Sequence, residues 1–254
     1  GGPFRLGLSA KAPKSFSWDE WLGPAKSREY HSKIFHGGWH YFWDYSGGDL
    51  ADCGIHQLDL ALMVLGDPPA PSAVSASGGR LQHKGDDGEV PDVEILHYDY
   101  PEFVMTFEHS HFANSMSKID GSIRSGDKFP HWLQCATRIE FYGAKDNMML
   151  GRHGGGWQVF TSNGKVVDQK FGRHPDTEHQ QNFIDCIKSR NRPNADVGLA
   201  QVSTSVMHIG NIAHRVGNQK LHYNASEEQF TNNDSANSLS KRQNINDFSV
   251  KEII

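Results

Sequence analysis

The spacing of hydrophobic residues changes along this chain, and this change restricts the possible folds more than any other feature. Between Ala73 and Tyr142 apolar residues tend to alternate with polar ones, as in AVSASG, VEILHYDY, FVMTFEHS and TRIEFYG, which is typical of strands with one buried face. The segment GWQVFTSNGKVVDQ carries Asn163-Gly164 at its centre, and this pair favours the tight turn of a further hairpin. We therefore expect a mostly antiparallel β-sheet.

Helical spacing of the apolar residues appears on both sides of this region. One helix is predicted at about residues 49–65, and two more are predicted at about residues 176–190 and 197–216. The helix at 176–190 is expected to bury its apolar side chains, namely Phe183, Ile184 and Ile187. Together the patterns predict an α+β fold in which helices cover one face of an antiparallel sheet.

The chain has 254 residues and is 37% hydrophobic, which is enough to bury a substantial core. We expect residues 1–225 to form one domain with an irregular, aromatic-rich lead-in at residues 1–46. Residues 226–254 are polar and short of apolar anchors, so we expect a C-terminal tail that is either docked or loose.

Composition and charge exclude several classes of partner. The net charge is −5 and there is no basic block, which argues against a nucleic-acid surface. No apolar run approaches the roughly 20 residues that span a bilayer, so we expect a soluble chain without a membrane partner, either cytoplasmic or periplasmic. The three cysteines are widely spaced, which favours neither a disulfide framework nor a CxxC metal site. Small molecules are therefore the expected partners.

The segment WDYSGGDLADCGIHQLDLALMVLG places several ionisable residues at the entrance of the first predicted helix. Asp52 and His56 are four residues apart and share a helical face, as do His56 and Asp59 at three residues apart. An imidazole can accept a hydroxyl proton near neutral pH, and a neighbouring carboxylate can orient the ring. The spacing is thus compatible with a general base at His56.

Simpler roles fit the same residues. Asp49 can cap the helix, Asp52 can interact with the helix dipole, and His56 can be an ordinary residue at the rim of the core. A metal site on Asp52, His56 and Asp59 is not expected, because no second cluster supplies further ligands. The pattern alone leaves these alternatives open.

The segment GGDLADCGIHQLDLALMVLG resembles the signature that opens the C-terminal domain of the Gfo/Idh/MocA oxidoreductases. Further segments in the same order resemble the bacterial sugar-processing branch of that family, among them WDEWLGPA, IEFYGAKDNM, GGWQVF, HQQNFIDCIKSRNRPNAD and HIGNIAHRVG. The resemblance covers nearly the whole chain. Two positions depart from it: Ser46 stands where many members have a third glycine, and His40 where relatives often carry Arg.

The resemblance implies that an N-terminal Rossmann domain holds NAD or NADP and that a second domain supplies the sheet, the substrate pocket, a catalytic Asp and a catalytic His. These two roles fall on Asp52 and His56. The chain contains no G-x-G-x-x-G segment, so we expect the nucleotide domain to lie outside it and no dinucleotide to bind to this chain alone. The implied substrate is a sugar or cyclitol.

Other residues are candidates for contacts with that substrate. The resemblance places the segment that contains His36, Trp39 and His40 near the pocket, where aromatic rings can stack on a sugar, although core packing explains Trp39 equally well. His179 lies near the start of a predicted helix and is a further candidate. Glu108 and His109 are expected to form an exposed strand end.

In the implied reaction, His56 removes a hydroxyl proton while hydride leaves the same carbon, and Asp52 orients His56 or the hydroxyl. One alternative is an enzyme that cleaves or epimerises a glycoside and regenerates its NAD. Another is a carbohydrate-binding or assembly module without a nucleotide domain. We also expect a homodimer or homotetramer through the open face of the sheet, with Ile95, Val104 and Phe107 as contacts.

Overall fold

The computed structural model describes residues 3–112, 115–152, 154–217 and 219–241. The chain divides into two compact units. Unit 1 is built from residues 1–55, 69–112 and 205–254, and unit 2 from residues 56–68 and 113–204. None of the described helices is long and apolar enough to cross a membrane.

The described helices and strands follow one another in a mixed order. The helices are α1 Trp18–Leu22, α2 Ser32–Phe35, α3 Ile55–Val64, α4 Gly121–Arg124, α5 Asp176–Ser189, α6 Val197–Val216 and α7 Asp234–Leu239. A 3₁₀ turn covers Gly38–Tyr41, another covers Trp132–Gln134, and a π-helical turn, Leu50–Gly54, precedes α3. The strands are β1 Ala73–Gly79, β2 Val93–Asp99, β3 Val104–Ser110, β4 Arg138–Tyr142, β5 Asp146–Gly151, β6 Trp157–Thr161, β7 Val166–Lys170, β8 Leu221–Asn224 and β9 Gln229–Phe230.

The strands form two antiparallel sheets, one in each unit. Unit 1 contains five strands in the order β3-β2-β1-β8-β9, and unit 2 contains four in the order β4-β5-β6-β7. The α+β class is confirmed, and the predicted strands and the three long helical segments lie close to their expected positions. The sequence analysis missed β5, β8 and β9 and the division of the strands into two sheets.

The core of unit 1 lies between its sheet and the second half of α6. Leu96 and Tyr98 alternate along β2 toward this side, and Val206 and Ile209 on α6 are buried with them. A β-carbon at Gly210 would lie 2.7 Å from Leu96 Cδ1, so only glycine permits this close approach of helix and strand. The helix therefore packs directly on the face of β2 that carries the even-numbered residues.

The opposite face of the same sheet is open within the described chain. Ile95 and Val104 point to this face and are exposed, whereas Phe107 is buried on the other face. Including Phe107 in an open apolar surface was therefore wrong, because its position in the strand's alternation turns it toward Gly54. Self-association through the remaining open face stays a prediction.

Helix α5 has the predicted length but not the predicted burial. Phe183, Ile184 and Ile187 are all exposed, and α5 contains no buried residue. The expectation that this helix buries them was wrong. An amphipathic pattern marks an apolar face but does not supply the element that would cover it, and no described residue buries this face.

Part of the segment predicted as a tail is ordered against unit 1. Strand β9 pairs with β8, and Phe230 and Ala236 are buried. Residues 242–254, which the prediction also included, lie outside the described residues.

The loop between β1 and β2 is held by a buried ion pair between Arg80 and Asp86. The Arg80 guanidinium donates two hydrogen bonds to the Asp86 carboxylate, one of them over 2.6 Å. The same carboxylate accepts the backbone N–H groups of Phe4 and Gly88. The hydrogen bonds from Arg80 are the main cause that holds the pKa of Asp86 well below its ordinary value of 3.8.

We predict that Asp86→Asn destabilises the protein by about 3 kcal/mol at pH 7, because it leaves the half-buried Arg80 without its counter-charge. Since the pKa is depressed in the folded state, the stabilisation is present above pH 3.8 and is lost as the pH falls below it. The difference between wild type and variant should therefore shrink in acid. Denaturant unfolding at a series of pH values measures both effects.

Asp127→Asn is the matched control, because Asp127 forms a similar but exposed pair with Arg173. That change should cost much less stability than Asp86→Asn, because water screens the exposed pair. Equal losses in the two variants, or a pH-independent loss in Asp86→Asn, would show that the buried pair does not carry the predicted stabilisation.

Candidate functional site

Two glycines allow the chain to enter the helix that carries the predicted catalytic residues. A β-carbon at Gly47 would lie 2.2 Å from Asn211 Nδ2, and one at Gly48 would lie 2.9 Å from Val90 Cβ. Gly48 also has a φ of +67°, which side-chain-bearing residues rarely adopt. The double glycine therefore lets the backbone pass closely between α6 and the β1–β2 loop.

The first turn of this helix is wider than an α-helical turn. Residues Leu50–Gly54 form a π-helical turn, and the N–H of Ile55 donates to the carbonyl of Leu50. A β-carbon at Gly54 would lie 2.6 Å from Phe107 Cζ, so the turn packs tightly on β3. Such single π turns within helices occur frequently at functional sites, and this one contains Asp52. The sequence pattern did not predict it.

A cleft of about 230 Å³ opens beside this turn in unit 1. Its walls come from the lead-in segment, the helix entrance, the β1–β2 loop and the end of β3. The lining residues are Gly37, His40, Tyr41, Gly48, Asp49, Asp52, Arg80, Val90, Pro91 and His111. The cleft thus combines an apolar wall with several ionisable side chains.

His40 presents one defined ring nitrogen toward Asp52. Its Nδ1 lies 2.7 Å from the carbonyl oxygen of Gly37, and because a carbonyl only accepts, Nδ1 must carry the proton. In the neutral ring, Nε2 is then the acceptor, and it lies 3.9 Å from Asp52 Oδ1. The ring stacks on Trp39 with centroids 3.5 Å apart, which helps to fix its orientation. The gap between His40 and Asp52 is too long for a direct hydrogen bond.

The β1–β2 loop forms the wall of the cleft around Arg80 and Val90. Asp92 is fully buried and accepts the backbone N–H groups of Leu81, Gln82 and His83. Arg80, besides its pair with Asp86, donates from Nη1 to the carbonyl of Val90. These contacts fix the loop backbone, so Arg80 contributes to the wall as a residue that is already paired.

Asp49 does not cap the helix, contrary to one of the alternatives. Its side chain makes no cap hydrogen bond and instead lies 2.6 Å from Nε2 of His111, through Oδ2. The same oxygen is 3.9 Å from Nδ1 of His109. The sequence analysis had treated His109 as part of an exposed strand end, and this was wrong because its side chain is only 12% exposed.

Behind His109 lies a carboxylate that is fully buried, that of Glu94. Its two oxygens lie 3.5 Å from His109 Nε2 and 3.2 Å from His214 Nδ1. Burial lowers the pKa of His214 more than the neighbouring Glu94 raises it. A row of carboxylates and imidazoles therefore runs from Asp49 at the cleft to His214 on α6.

The residues proposed from the sequence are distributed unevenly. Asp52 and His40 both line the cleft, and the Trp39 ring stacks on the His40 ring. His36 is exposed and is not one of the lining residues. His56 on α3 and His179 on α5 belong to unit 2 and are exposed.

Asp59 was the third member of the metal trio that we considered and did not expect. Its carboxylate accepts a hydrogen bond of 2.6 Å from Ser203. This contact within unit 2 gives Asp59 a structural partner of its own.

Asp49, His109, His111 and Glu94 were not proposed as site residues. Asp49, Glu94 and the segment that contains His109 and His111 are far apart in the sequence, and the only local signal was the alternation that places His109 and His111 on one side of the chain.

Comparison with known structures supports the fold. The chain superimposes on the aldose-aldose oxidoreductase from Caulobacter crescentus, solved with glycerol, with a TM-score of 0.53 and 16% identity over 72% of this chain and 50% of the other. A candidate NADPH-dependent oxidoreductase from Desulfitobacterium hafniense gives a TM-score of 0.51 and 15% identity over 73% of this chain and 51% of the other. This chain therefore spans about half the length of these structures. The comparison with curated proteins gives no match.

A family model, described as the C-terminal alpha/beta domain of an oxidoreductase family, matches residues 6–125 and 138–250, which is most of the chain. The two antiparallel sheets, the glycine-rich helix entrance and this match agree with one another. The chain belongs to the Gfo/Idh/MocA oxidoreductase family and corresponds to its C-terminal domain.

Proposed function

We propose that this chain is the substrate-binding and catalytic half of a nicotinamide-dependent oxidoreductase that acts on a hydroxyl-bearing carbon of a sugar or cyclitol. Family membership supports the class of reaction. The names of the two similar structures mention an aldose and NADPH, which supports the substrate class and the cofactor. NAD and NADP are both compatible with the proposal.

The observation that carries the proposal is the arrangement of His40 and Asp52 across the cleft. Nε2 of His40 and Oδ1 of Asp52 face each other at 3.9 Å without a bond between them, and when the imidazole is neutral with its proton on Nδ1 both atoms are acceptors. A polyol supplies hydroxyl donors that fit such acceptors, and Tyr41 lines the same cleft. The cleft therefore suits a sugar better than an anionic ligand.

Asp52 and His56 are proposed as the pair that handles the proton. Their spacing of four residues within the helical segment 48–64 supports this pairing, since residues four apart on a helix are neighbours on its surface. His56 would take the hydroxyl proton as the carbonyl forms, and Asp52 would orient the imidazole or the hydroxyl. The nicotinamide, when bound, accepts the hydride, and we propose that a domain outside this chain holds it.

A redox-neutral enzyme is the second candidate. The Caulobacter structure is named an aldose-aldose oxidoreductase, and this name is compatible with a cofactor that is regenerated within one cycle. Product analysis distinguishes the two: net release of NADH or NADPH supports a dehydrogenase, and an altered sugar without such release supports the cycling enzyme. A pure binding module would give neither product.

We predict that His56→Gln lowers turnover by about a hundredfold to ten-thousandfold, because it removes the proton acceptor and keeps similar bulk. Asp52→Asn should also slow turnover and should shift the pH profile of kcat/KM. Since the two residues act as a unit, the double variant should lose much less than the sum of the two losses in free energy. Steady-state kinetics on a protein that contains this chain and the proposed nucleotide domain measure these effects.

His222→Gln is the matched control, because His222 is an exposed strand residue. Its turnover should equal that of the wild type. If Asp52 only interacts with the helix dipole, Asp52→Asn will cost roughly 0.3 to 1 kcal/mol of stability and leave turnover intact. Turnover near the wild-type value in His56→Gln would remove His56 from the mechanism.

We predict a different kinetic signature for His40→Phe. The phenyl ring keeps the stacking on Trp39 but removes the Nε2 acceptor, so one hydrogen bond to substrate is lost. A loss of about 1.4 kcal/mol corresponds to a tenfold rise in KM, and kcat should change little. Kinetics of His97→Phe, which alters a half-exposed histidine on the open face of β2, provide the control. An unchanged KM in His40→Phe would contradict a role for His40 in substrate binding.

A further inference from the structure

Asp49, His109 and His111 bring three potential metal-ligating atoms together at one edge of unit 1. The carboxylate oxygen and the two imidazole nitrogens all lie within 4.8 Å of one another. Asp49 comes from the helix entrance, whereas His109 and His111 come from the end of β3 and point to the same side of the chain. The three residues are thus held by two different elements of the same unit.

The distances are close to those that a bound metal ion requires. Bond lengths of about 2.0 to 2.1 Å in a tetrahedral zinc site place neighbouring ligand atoms about 3.3 Å apart. The observed separations from Asp49 Oδ2 are 2.6 Å to His111 Nε2 and 3.9 Å to His109 Nδ1. Small side-chain rotations therefore suffice to bring these two separations to about 3.3 Å around an ion.

The cluster and its neighbour Glu94 contain buried polar atoms that form no hydrogen bond among the described residues. Glu94 is fully buried, and neither of its carboxylate oxygens forms a hydrogen bond among the described residues. Both ring nitrogens of His109, which is 12% exposed, and Nδ1 of His111 are buried without a hydrogen bond as well. The contacts of Glu94 with His109 at 3.5 Å and with His214 at 3.2 Å offset part of the cost of burial, and a metal ion would engage His109 Nδ1 as well.

Glu94 occupies the position expected for a residue that supports a metal ligand. Its Oε2 lies 3.5 Å from His109 Nε2, on the side of the ring opposite to Nδ1. A ligating histidine commonly donates its second ring N–H to a carboxylate, which fixes the tautomer and raises the basicity of the ligating nitrogen. This arrangement leaves the lone pair of Nδ1 directed to the side where Asp49 lies.

A second group of residues near His111 is less suited to bind a cation. His83, Asp92 and His111 also bring their ligand atoms within 4.8 Å of one another. However, both carboxylate oxygens of Asp92 already accept backbone N–H groups, from Leu81, Gln82 and His83, and these bonds hold the β1–β2 loop. The Asp49 side chain makes no cap hydrogen bond, and its contacts are with the two imidazoles of the cluster itself.

We propose that Asp49, His109 and His111 bind one Zn²⁺ ion. Two imidazoles and one carboxylate suit zinc and its neighbours in the first transition row, whereas Mg²⁺ and Ca²⁺ prefer sites made of oxygen alone. Asp49 and His111 also line the cleft, so the fourth coordination position is available to a water molecule or to a hydroxyl of a ligand. The proposal is independent of the hydride-transfer function, because binding is measured on the chain itself.

The test is calorimetric titration of the metal-stripped, tag-free chain with Zn²⁺, with Mg²⁺ as a parallel titration. We expect one equivalent of Zn²⁺ to bind and no binding of Mg²⁺ in the parallel titration. His111→Gln and Asp49→Asn each remove a ligand and should weaken binding more than about a hundredfold, beyond the usual effect of a supporting residue. Glu94→Gln should weaken it by about tenfold to a hundredfold.

His97→Gln is the control, since this histidine on β2 faces away from the cluster, and it should bind zinc as the wild type does. Circular dichroism and the melting temperature show whether each variant is folded. If His111→Gln does not fold, His109→Gln provides another variant that lacks one ligand. Wild type that binds no stoichiometric Zn²⁺ would overturn the proposal. So would binding that survives in the folded ligand variants, or binding that is weakened equally in His97→Gln.

Discussion

The ion pair between Arg80 and Asp86 is the interaction on which the candidate site depends. Asp86 accepts hydrogen bonds from Arg80 and from the backbone of Phe4, so it joins the β1–β2 loop to the N-terminal segment. Phe4 in turn stacks on Tyr41, which lines the cleft beside His40. Three segments distant in sequence are thereby fixed around one cavity. The pair acts together with the Asp92 hydrogen bonds, which hold the backbone of the same loop.

A second group of buried charges ties the sheet to the helix entrance. Asp49 contacts His111, and Glu94 lies between His109 and His214, so carboxylates and imidazoles alternate through the interior of unit 1. Buried charges of this kind are costly unless they are matched, and their matching constrains the fold and the cleft together. The proposed zinc ion would occupy the end of this row that is nearest to solvent. Two of its ligands, Asp49 and His111, line the same cleft as the groups proposed to receive the sugar.

Local patterns predicted most secondary structure, because alternation and helical spacing are properties of short segments. The strand β5 was missed because DNMMLG begins with polar residues and then contains a short apolar run without alternation. The π-helical turn was missed because it accompanies the packing of Gly54 against Phe107, which is a contact between distant segments. The cluster of Asp49, His109 and His111 was not predicted for the same reason, because its members come from distant segments. His40 and Asp52 were identified, but their position across one cleft required the fold.

The central claim is that the cleft beside Asp52 receives a sugar, and NMR of labelled histidine side chains tests it most directly. The chain would be titrated with a panel of aldoses, cyclitols and nucleotide sugars, and the His40 signals would be assigned with the His40→Phe variant. The account predicts saturable shifts of His40, which lines the cleft, and no shift of His97 or His222 outside it. Sugar binding that leaves His40 unchanged, or a panel that contains no binder, would contradict the account.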